Sequence, residues 1–571
     1  MAKILFIQEE HWQRLGIMYL SGTLKKQGHE VELAISADYK DIKSVLTEFK
    51  PDAVGFSIMT GDHHAAVSMA SKIKNDFDVK TIFGGPHCTF FPEFLNHEAV
   101  DFIVRGEGEQ ACLQFMNCIQ DETGFSSVPN LSFKSNGEII ENDMGQLDDI
   151  DLIEFPDREI YAKHKDEVDF SVVYVLTSRG CPYKCTFCFE EEQQKLFKGL
   201  GNYVRIRTPE NIFAEINSAV AEKFEFGHVM FIDDVFGLNK VWLYDFLEKY
   251  KKEVNLPFIS VLRADLISNN EEYAKRLADA GGIGCSFGIE SGREHLRQLS
   301  LQKRLTDYQI IDASEKLRKV GIKFKTYNIF GFPGESVEDA FSTVELNMKI
   351  KADFPQSNLF IPFPKTGLAE YAMEKGYLSK EFSADDIRTD AFIHSALKSP
   401  YTKQFERINK LFQTAVTFPF LWPLIKKYVR MDRDSKFFDF VADIWFGIVY
   451  FLLYWKSSKR NIVKLVAFAL RRFRQTLGLI PTETPESRRF KMMYPPASSK
   501  TENQSRNQDG LNGKPAAYRE RVVARRKEWM EQVASIDKVK DLAAGIMNNE
   551  LPSNKSDSLM DAIKLDRVKS S

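Results

Sequence analysis

In "TSRGCPYKCTFCFE", residues 177–190, three of the chain's seven cysteines fall within eight positions: Cys181, Cys185 and Cys188. Thiolates are soft ligands, and this C-x3-C-x2-C run on a loop offers three of them to one centre. A structural zinc site closes with four ligands, and its knuckles usually pair two C-x2-C arms. No fourth cysteine lies near the triad. Buried structural thiols are a further possibility, but "RGCPYKC" is polar and loop-like. An iron–sulfur cluster held by three thiolates fits the spacing best, and leaves one iron open to another ligand.

The elements around this loop alternate. From about 170 to 365, strand-like runs ("SVVYVLTS", "HVMFIDD", "FISVLRAD", "GCSFGIES", "KFKTYNIFGFPGE", "SNLFIPFPK") are separated by helical stretches such as "TPENIFAEINSAVAEKF". Six βα-like units predict a partial barrel whose chemistry sits at the C-terminal ends of its strands. A first set of short apolar runs over residues 1–120 ("KILFIQ", "EVELAI", "AVGFSI", "VKTIFGG", "VDFIVRG") predicts a separate parallel, doubly wound sheet. Residues 121–168 read as a connector with a small hairpin, "LSFKSNGEIIE", turning at "SNG".

A chain of 571 residues needs two or three cores. Its net charge of -3 gives no global attraction to nucleic acid. "MAKILFIQ" reads as a first strand, not a secretion leader, and seven cysteines form no even framework. A reducing cytoplasmic setting with free thiols is therefore expected.

The triad, with Phe187 before its last cysteine, resembles the radical S-adenosylmethionine (SAM) superfamily. The resemblance covers about 200 residues and implies a four-iron four-sulfur cluster whose open iron chelates SAM. It also implies reductive SAM cleavage to a deoxyadenosyl radical, with electrons from a donor such as flavodoxin or ferredoxin. Further matches follow in order. "FIDDVFGLN" places Asp233 and Asp234 where many members carry a Gly-Gly-Glu-like motif for the SAM amino group, a departure from the family pattern. Arg263 in "LRADL" is a candidate for the SAM carboxylate. Glu290 and Ser291 in "FGIESG" stand where ribose contacts are typical, and Gly331, Pro333 and Gly334 in "NIFGFPGES" where the adenine is backed. Each also has a plain structural reading: Glu290 as a helix cap, and "GFPGES" as a βα turn with Ser336 as N-cap.

In the first sheet, glycine-rich loops follow the strands: "SIMTGD", "FGGPHCTFFPE" and "RGEGEQ". Ligands of doubly wound sheets bind at such strand ends. Alone these loops fit many nucleotide-binding folds or a response-regulator-like domain. Beside the barrel they resemble the cobalamin-binding domain of cobalamin-dependent radical SAM enzymes, as does "RLGIMYLSGTLKKQGHEV". That resemblance assigns Thr60, Gly61, Gly84, Gly85, Pro86, His87, Gly106, Glu107, Gly108 and Glu109 to cofactor binding. The Asp-x-His-x-x-Gly motif that supplies a cobalt-ligating histidine elsewhere is missing, and His11 has the wrong spacing to Gly16. His11 reads as a loop histidine, while His63, His64 and His87 lie on the ligand loops.

The expected organisation is α/β: a Rossmann-like cobalamin-binding domain (1–145), a partial (β/α)6 radical SAM barrel (168–370), a helical region (380–480), and a mostly disordered tail with a charged helix (495–571). The helical region holds the aromatic runs "FFDFVADIWFGIVYFLLYWK" and "IVKLVAFALRRFRQ". Between 426 and 474 it carries 12 Lys/Arg against 4 Asp/Glu. Its longest uncharged run is too short to span a bilayer, so the helices either lie in a membrane interface or cap the barrel. By resemblance, the expected reaction is methyl transfer to an unactivated carbon of a hydrophobic, lipid-, isoprenoid- or tetrapyrrole-like substrate. Two alternatives stay open: a ring-forming radical cyclase of the same family, and a cobalamin-binding sensor or carrier with a degenerate barrel.

Overall fold

The computed structural model describes residues 1–431 apart from 166, 169, 171, 222–227, 388–390 and 392–393. The two aromatic runs and the polar tail beyond them lie outside the described residues.

The first sheet has seven strands: β1 (Lys3–Gln8), β2 (Glu30–Ile35), β3 (Ala53–Ser57), β4 (Lys80–Gly84), β5 (Phe102–Val104), β6 (Leu131–Ser135) and β7 (Glu138–Glu141). Their order is β2-β1-β3-β4-β5-β6-β7, with the first five parallel. Helices cover both faces, so the central strands are apolar on both sides. On β1, Ile4 and Phe6 pack under the helices Leu15–Lys26 and Glu109–Cys118, while Leu5 and Ile7 pack under Tyr39–Phe49 and His63–Asp76. The order reverses between β1 and β3, and the crevice at their C-terminal ends is where such sheets bind ligands.

The hairpin expected in the connector is present, but it belongs to this sheet. Strand β6 pairs antiparallel with both β5 and β7. Its two-residue turn, Asn136–Gly137, has positive φ at both positions (51° and 82°), the geometry that matches strand twist.

The second sheet is built from β8 (Val172–Val175), β11 (His228–Phe231), β12 (Phe258–Val261), β13 (Gly282–Glu290), β14 (Lys323–Phe330) and β15 (Phe354–Leu359). These six parallel strands lie in sequence order, as in a partial barrel. A small ribbon, β9 (Ser178–Arg179) with β10 (Arg205–Ile206), leaves its mouth. Alternate residues, among them Val173, Phe231, Phe258, Phe287 and Phe324, turn outward into a core shared with the surrounding helices. After β15, Phe405, Phe412 and Trp422 of the helices Thr402–Thr417 and Trp422–Val429 pack on Phe330 and Phe341. That much of the helical region caps the barrel.

The two sheets belong to one compact unit. Arg158, in the segment joining them, donates to Glu215 Oε1 at 2.7 Å, and Arg207 donates to Glu215 Oε2 at 2.5 Å. All three side chains are buried. Glu215 lies on the first barrel helix, Pro209–Ala221, so this triad fixes the connector to the barrel wall. Removing one partner of a buried ion group strands the other charges at a cost of about 3–5 kcal/mol. Glu215→Gln should therefore lower the melting temperature sharply, whereas an exposed control, Glu248→Gln, should leave it unchanged. Scanning calorimetry checks this, and equal melting temperatures would refute the role.

Candidate active site

The triad sits on the loop that leaves β8 and β9 at the mouth of the open barrel. Cys181 is buried; Cys185 and Cys188 are partly exposed. The loop is held from several sides. Thr186 donates through its N–H to Leu301 O at 3.2 Å and through Oγ1 to Ser300 O at 2.6 Å. Gln194 donates to the carbonyls of Cys181 and Tyr183. The Cys181 N–H donates to Glu190 Oε2 at 3.0 Å, which also accepts from the Tyr203 hydroxyl at 2.8 Å.

Burial pushes the thiols of Cys181 and Cys188 up to about 12, and that of Cys185 upward too. Each is raised further by another cysteine of the triad or a nearby carboxylate, while Lys303 and Arg263 oppose the rise at Cys185. Such thiols ionise when a metal centre binds them, because its positive charge replaces the proton. This donor set fits an iron–sulfur cluster. Among the described residues no three or more His, Cys, Asp or Glu side chains gather tightly enough for a single metal ion. A cluster of several irons is wider than one ion and has no such requirement.

The sequence-selected residues at the barrel strand ends divide into two groups. Asp234 is exposed at the mouth, and its carboxylate accepts from the Gly180 N–H. Burial, then the neighbouring Asp234 carboxylate, pushes Glu190 up to about 7. Sequence reading missed Glu190, although it stands two places after Cys188. Arg263 stacks its guanidinium 3.6 Å from the Tyr183 ring centre and donates to Asp265 and to Lys303 O. Glu290, in left-handed backbone at φ 67°, accepts from Lys303 Nζ at 2.7 Å. Gly288 makes room for that pair, since a Cβ there would stand 1.9 Å from Glu290 Oε1. Glu290 is thus an ion-pair partner, not a helix cap. No sequence signal pointed to Lys303. Phe187 stays partly exposed within the triad.

The other group turns into the protein. Asp233 is 1% exposed, and its Oδ1 accepts from the Thr177 N–H, the Thr177 hydroxyl and the Ser178 hydroxyl. It ties β11 to the start of the cysteine loop. Ser291 is buried, with its carbonyl accepting from Arg297 and its hydroxyl from the Arg293 N–H. In the Gly331–Pro333–Gly334 turn, Glu335 accepts from the N–H groups of Gly331 and Phe332. Ser336 there is an N-cap with a capping box to Asp339, as the turn reading expected.

The loops of the first sheet also divide by what they touch. Glu109 pairs with Arg179 at 2.5 Å, and Glu107 pairs with both Arg179 and Arg205. These carboxylates face the barrel's ribbon, not the crevice at the switch point. Gly106 approaches protein: a Cβ would meet Phe197 at 2.6 Å. At Gly85 (φ 94°), the same test meets Ile58 O at 2.7 Å. Gly84 and Gly108 are less crowded, with no heavy atom nearer than 3.4 Å to an added Cβ. Thr60 bonds His87 Nδ1 at 3.1 Å, and the Gly61 N–H donates to His63 Nδ1 at 3.0 Å. His63 and His87 are each 1% exposed and stack at 4.1 Å, with His64 against His63 at 3.9 Å. Burial keeps His64 neutral down to about 4 and His87 down to about 2. Pro86 is exposed beside them. His11 Nδ1 lies 3.2 Å from Glu167. Two exposed apolar side chains at the crevice, Trp12 after β1 and Met59 after β3, escaped the sequence reading.

The two loop systems touch. Phe189, next to Cys188, stacks on Phe90 of the Pro86–Phe90 turn, with ring centres 4.1 Å apart and planes 12° apart. Phe91 and Ala384 complete this apolar contact. His63 Nε2 lies 3.3 Å from Asp385 Oδ1, so the segment after the barrel also reaches the first sheet.

Residues 175–346 match the radical SAM superfamily, and residues 8–115 match the B12 binding domain. An uncharacterized methyltransferase of Pyrococcus horikoshii is 30% identical over 376 residues, 64% of this chain and 79% of that protein. The anaerobic magnesium-protoporphyrin IX monomethyl ester cyclase of Rubrivivax gelatinosus is 24% identical over 464 residues, 75% of this chain and 81% of that protein. Among solved structures, the radical SAM methyltransferase TsrM of Kitasatospora setae superposes with a TM-score of 0.54 at 18% identity, covering 66% of this chain and 76% of its own. The cobalamin-dependent radical enzyme OxsB gives 0.53 at 18% identity, covering 99% and 83%. At that identity the likeness is one of fold.

Asp233 yields a pH test. Burial raises its acid to about 6, above the ordinary carboxylate range. The folded protein therefore holds this proton more tightly than the unfolded chain. The resulting stabilisation is complete below the unfolded value and is lost as pH rises through about 6. Asp233→Asn keeps an acceptor oxygen and removes the titration, so it should gain on the wild type by up to about 3 kcal/mol between pH 4 and pH 7. Denaturant melts across that range check this, and stability curves that stay parallel would refute it.

Proposed function

The chain belongs to the radical SAM superfamily and carries a B12-binding domain ahead of its barrel; on that premise, we propose that it is a cobalamin-dependent radical enzyme that methylates an unactivated carbon of a hydrophobic substrate. The observation that carries this reading is the Phe90–Phe189 stack, which sets the cysteine loop against a ligand loop of the B12-binding domain. Bound there, a four-iron four-sulfur cluster with SAM supplies carbon-radical chemistry, and cobalamin supplies a methyl group.

The chain's own groups then have these parts. Cys181, Cys185 and Cys188 hold the cluster as thiolates. Glu190 and Asp234, two carboxylates beside Cys181, accept hydrogen bonds from the SAM ammonium, and Arg263 faces its carboxylate. Glu290 accepts from the ribose, while Asp233, Ser291 and Glu335 hold the loops without touching ligand. Thr60, Trp12 and Met59 face cobalamin at the switch-point crevice. His63 and His87 are buried in their own stack and His11 pairs with Glu167, so none of these three would reach its metal. A flavodoxin- or ferredoxin-like donor supplies electrons.

Anaerobically reconstituted protein should form deoxyadenosine from SAM under reduction, and Cys181→Ala, Cys185→Ala or Cys188→Ala should abolish both the iron content and that product. Cys88, Cys112, Cys118 and Cys285 should be replaceable. Full iron content in all three variants would refute the assignment. Ring formation is the second reading, supported by the cyclase relative. Label from the SAM methyl group appearing in product decides for methylation.

Among the described residues no helix is long and apolar enough to cross a membrane. We propose peripheral contact through the end of the helical cap, where Phe420 is 77% and Leu424 66% exposed beside the exposed Lys427. Two such side chains entering the acyl boundary contribute about 1.5–3 kcal/mol each, and Lys427 adds a salt-sensitive attraction to anionic lipid. The protein should pellet with anionic liposomes, less so at high salt, and Phe420→Ser with Leu424→Ser should reduce pelleting. Wild-type protein that stays in the supernatant at low salt would overturn this contact.

A further inference from the structure

The two sides of the open barrel's concave face differ in chemistry. On β14, Phe324 packs in the helix-side core, and Thr326 and Asn328 bond Asn347 of the helix Val337–Lys349 at 2.6 and 2.8 Å. Strand alternation therefore turns Lys325 and Tyr327 to the concave face. On β15, Ser357 bonds Asn409 of the helix Thr402–Thr417 at 2.7 Å, which turns Gln356 and Asn358 inward. On β13, Cys285 and Phe287 belong to the outer core, leaving Ser286 and Gly288 inside. By the same rule β8, β11 and β12 present Tyr174, Met230, Ile259 and Val261, because Val173, Val229, Phe231 and Phe258 face the helices.

Register brings these residues level. Lys325 stands beside Ser286, and Tyr327 lies between Gly288 and Gln356. Across the strands, Val261 is level with Ser286, and Met230 with Tyr174 and Ile259. At these levels the face is thus mainly apolar over β8, β11 and β12 and mainly polar over β13–β15, with a lysine whose Nζ is 5.2 Å from the centre of the Tyr327 ring. Lys325 and Tyr327 are both partly exposed.

We infer that the β13–β15 side of this face is a carboxylate subsite, in which Lys325, Tyr327 and Gln356 bind the acidic head group of an amphipathic substrate whose apolar body lies on Tyr174, Met230, Ile259 and Val261. The inference rests on the hydrophobic-substrate reading above and narrows it to an anion. Burial holds the Lys325 amine below the ordinary lysine range, and an arriving carboxylate favours its charged form through a charge-assisted hydrogen bond. Tyr327 and Gln356 donate beside it.

The test compares dodecanoate with dodecanol, which share an alkyl chain and differ in head group. Calorimetric titration uses the holoenzyme, with iron and cobalamin content verifying each variant. Wild type should bind dodecanoate about tenfold more tightly than dodecanol. Lys325→Met and Lys325→Gln should each lose that preference while binding dodecanol unchanged, and Lys325→Arg should keep it. A preference that survives in both uncharged variants, or is absent from wild type, overturns the carboxylate subsite alone. Binding of neither ligand overturns the hydrophobic-substrate reading together with this inference.

Discussion

Glu215 is the group on which the arrangement of the two sheets depends. It is fully buried, it lies on the first barrel helix, and it accepts from Arg158 of the connector and from Arg207 just before its own helix. A carboxylate in that position is tolerable only while both guanidiniums remain, so the geometry of the connector is fixed along with its charge. The Arg179 and Arg205 contacts to Glu109 and Glu107 repeat this logic nearer the mouth. Together they hold the C-terminal ends of the parallel strands of the two sheets against each other, which neither sheet achieves by its own hydrogen bonding.

The environment so enclosed has a definite electrostatic character. The three thiols and Glu190 all hold their protons more tightly than usual because burial opposes their ionisation. Lys303 and Arg263 supply nearby positive charge, each already engaged by an acid on the barrel wall. Such a site favours ligands that carry their own positive centres to the acids and thiols. His64 and His87 of the first sheet are held below the ordinary histidine range by burial.

Much of this was legible in the sequence, for reasons that differ by element. Apolar runs such as "ILFI" declared strands buried on two faces, "SNG" declared a hairpin turn, and three cysteines in eight positions declared a cluster. These are local patterns, and local patterns survive into structure. What stayed hidden depended on partners far along the chain. Glu107 and Glu109 sit in a glycine-rich loop that looked ligand-directed, yet they are matched by arginines 98 and 70 residues later. Asp233 looked like its neighbour Asp234, and only the fold shows that one carboxylate points into the β8–β9 turn while the other faces the mouth. The hairpin was legible, but the sheet it joins was not, because pairing with β5 is set by packing.

The contact between the post-barrel segment and the first sheet has a consequence in time. Lys365 donates to the carbonyl of Phe90 across 275 residues, and Asp385 meets His63 over a still longer stretch. During synthesis the first sheet leaves the ribosome long before either partner exists, so its early fold lacks these closing contacts. Loop-closure entropy delays such distant pairings until the intervening barrel has formed. The ligand loops at Thr60–His63 and Gly85–Phe90 therefore reach their final setting last, although their residues are among the first to be made.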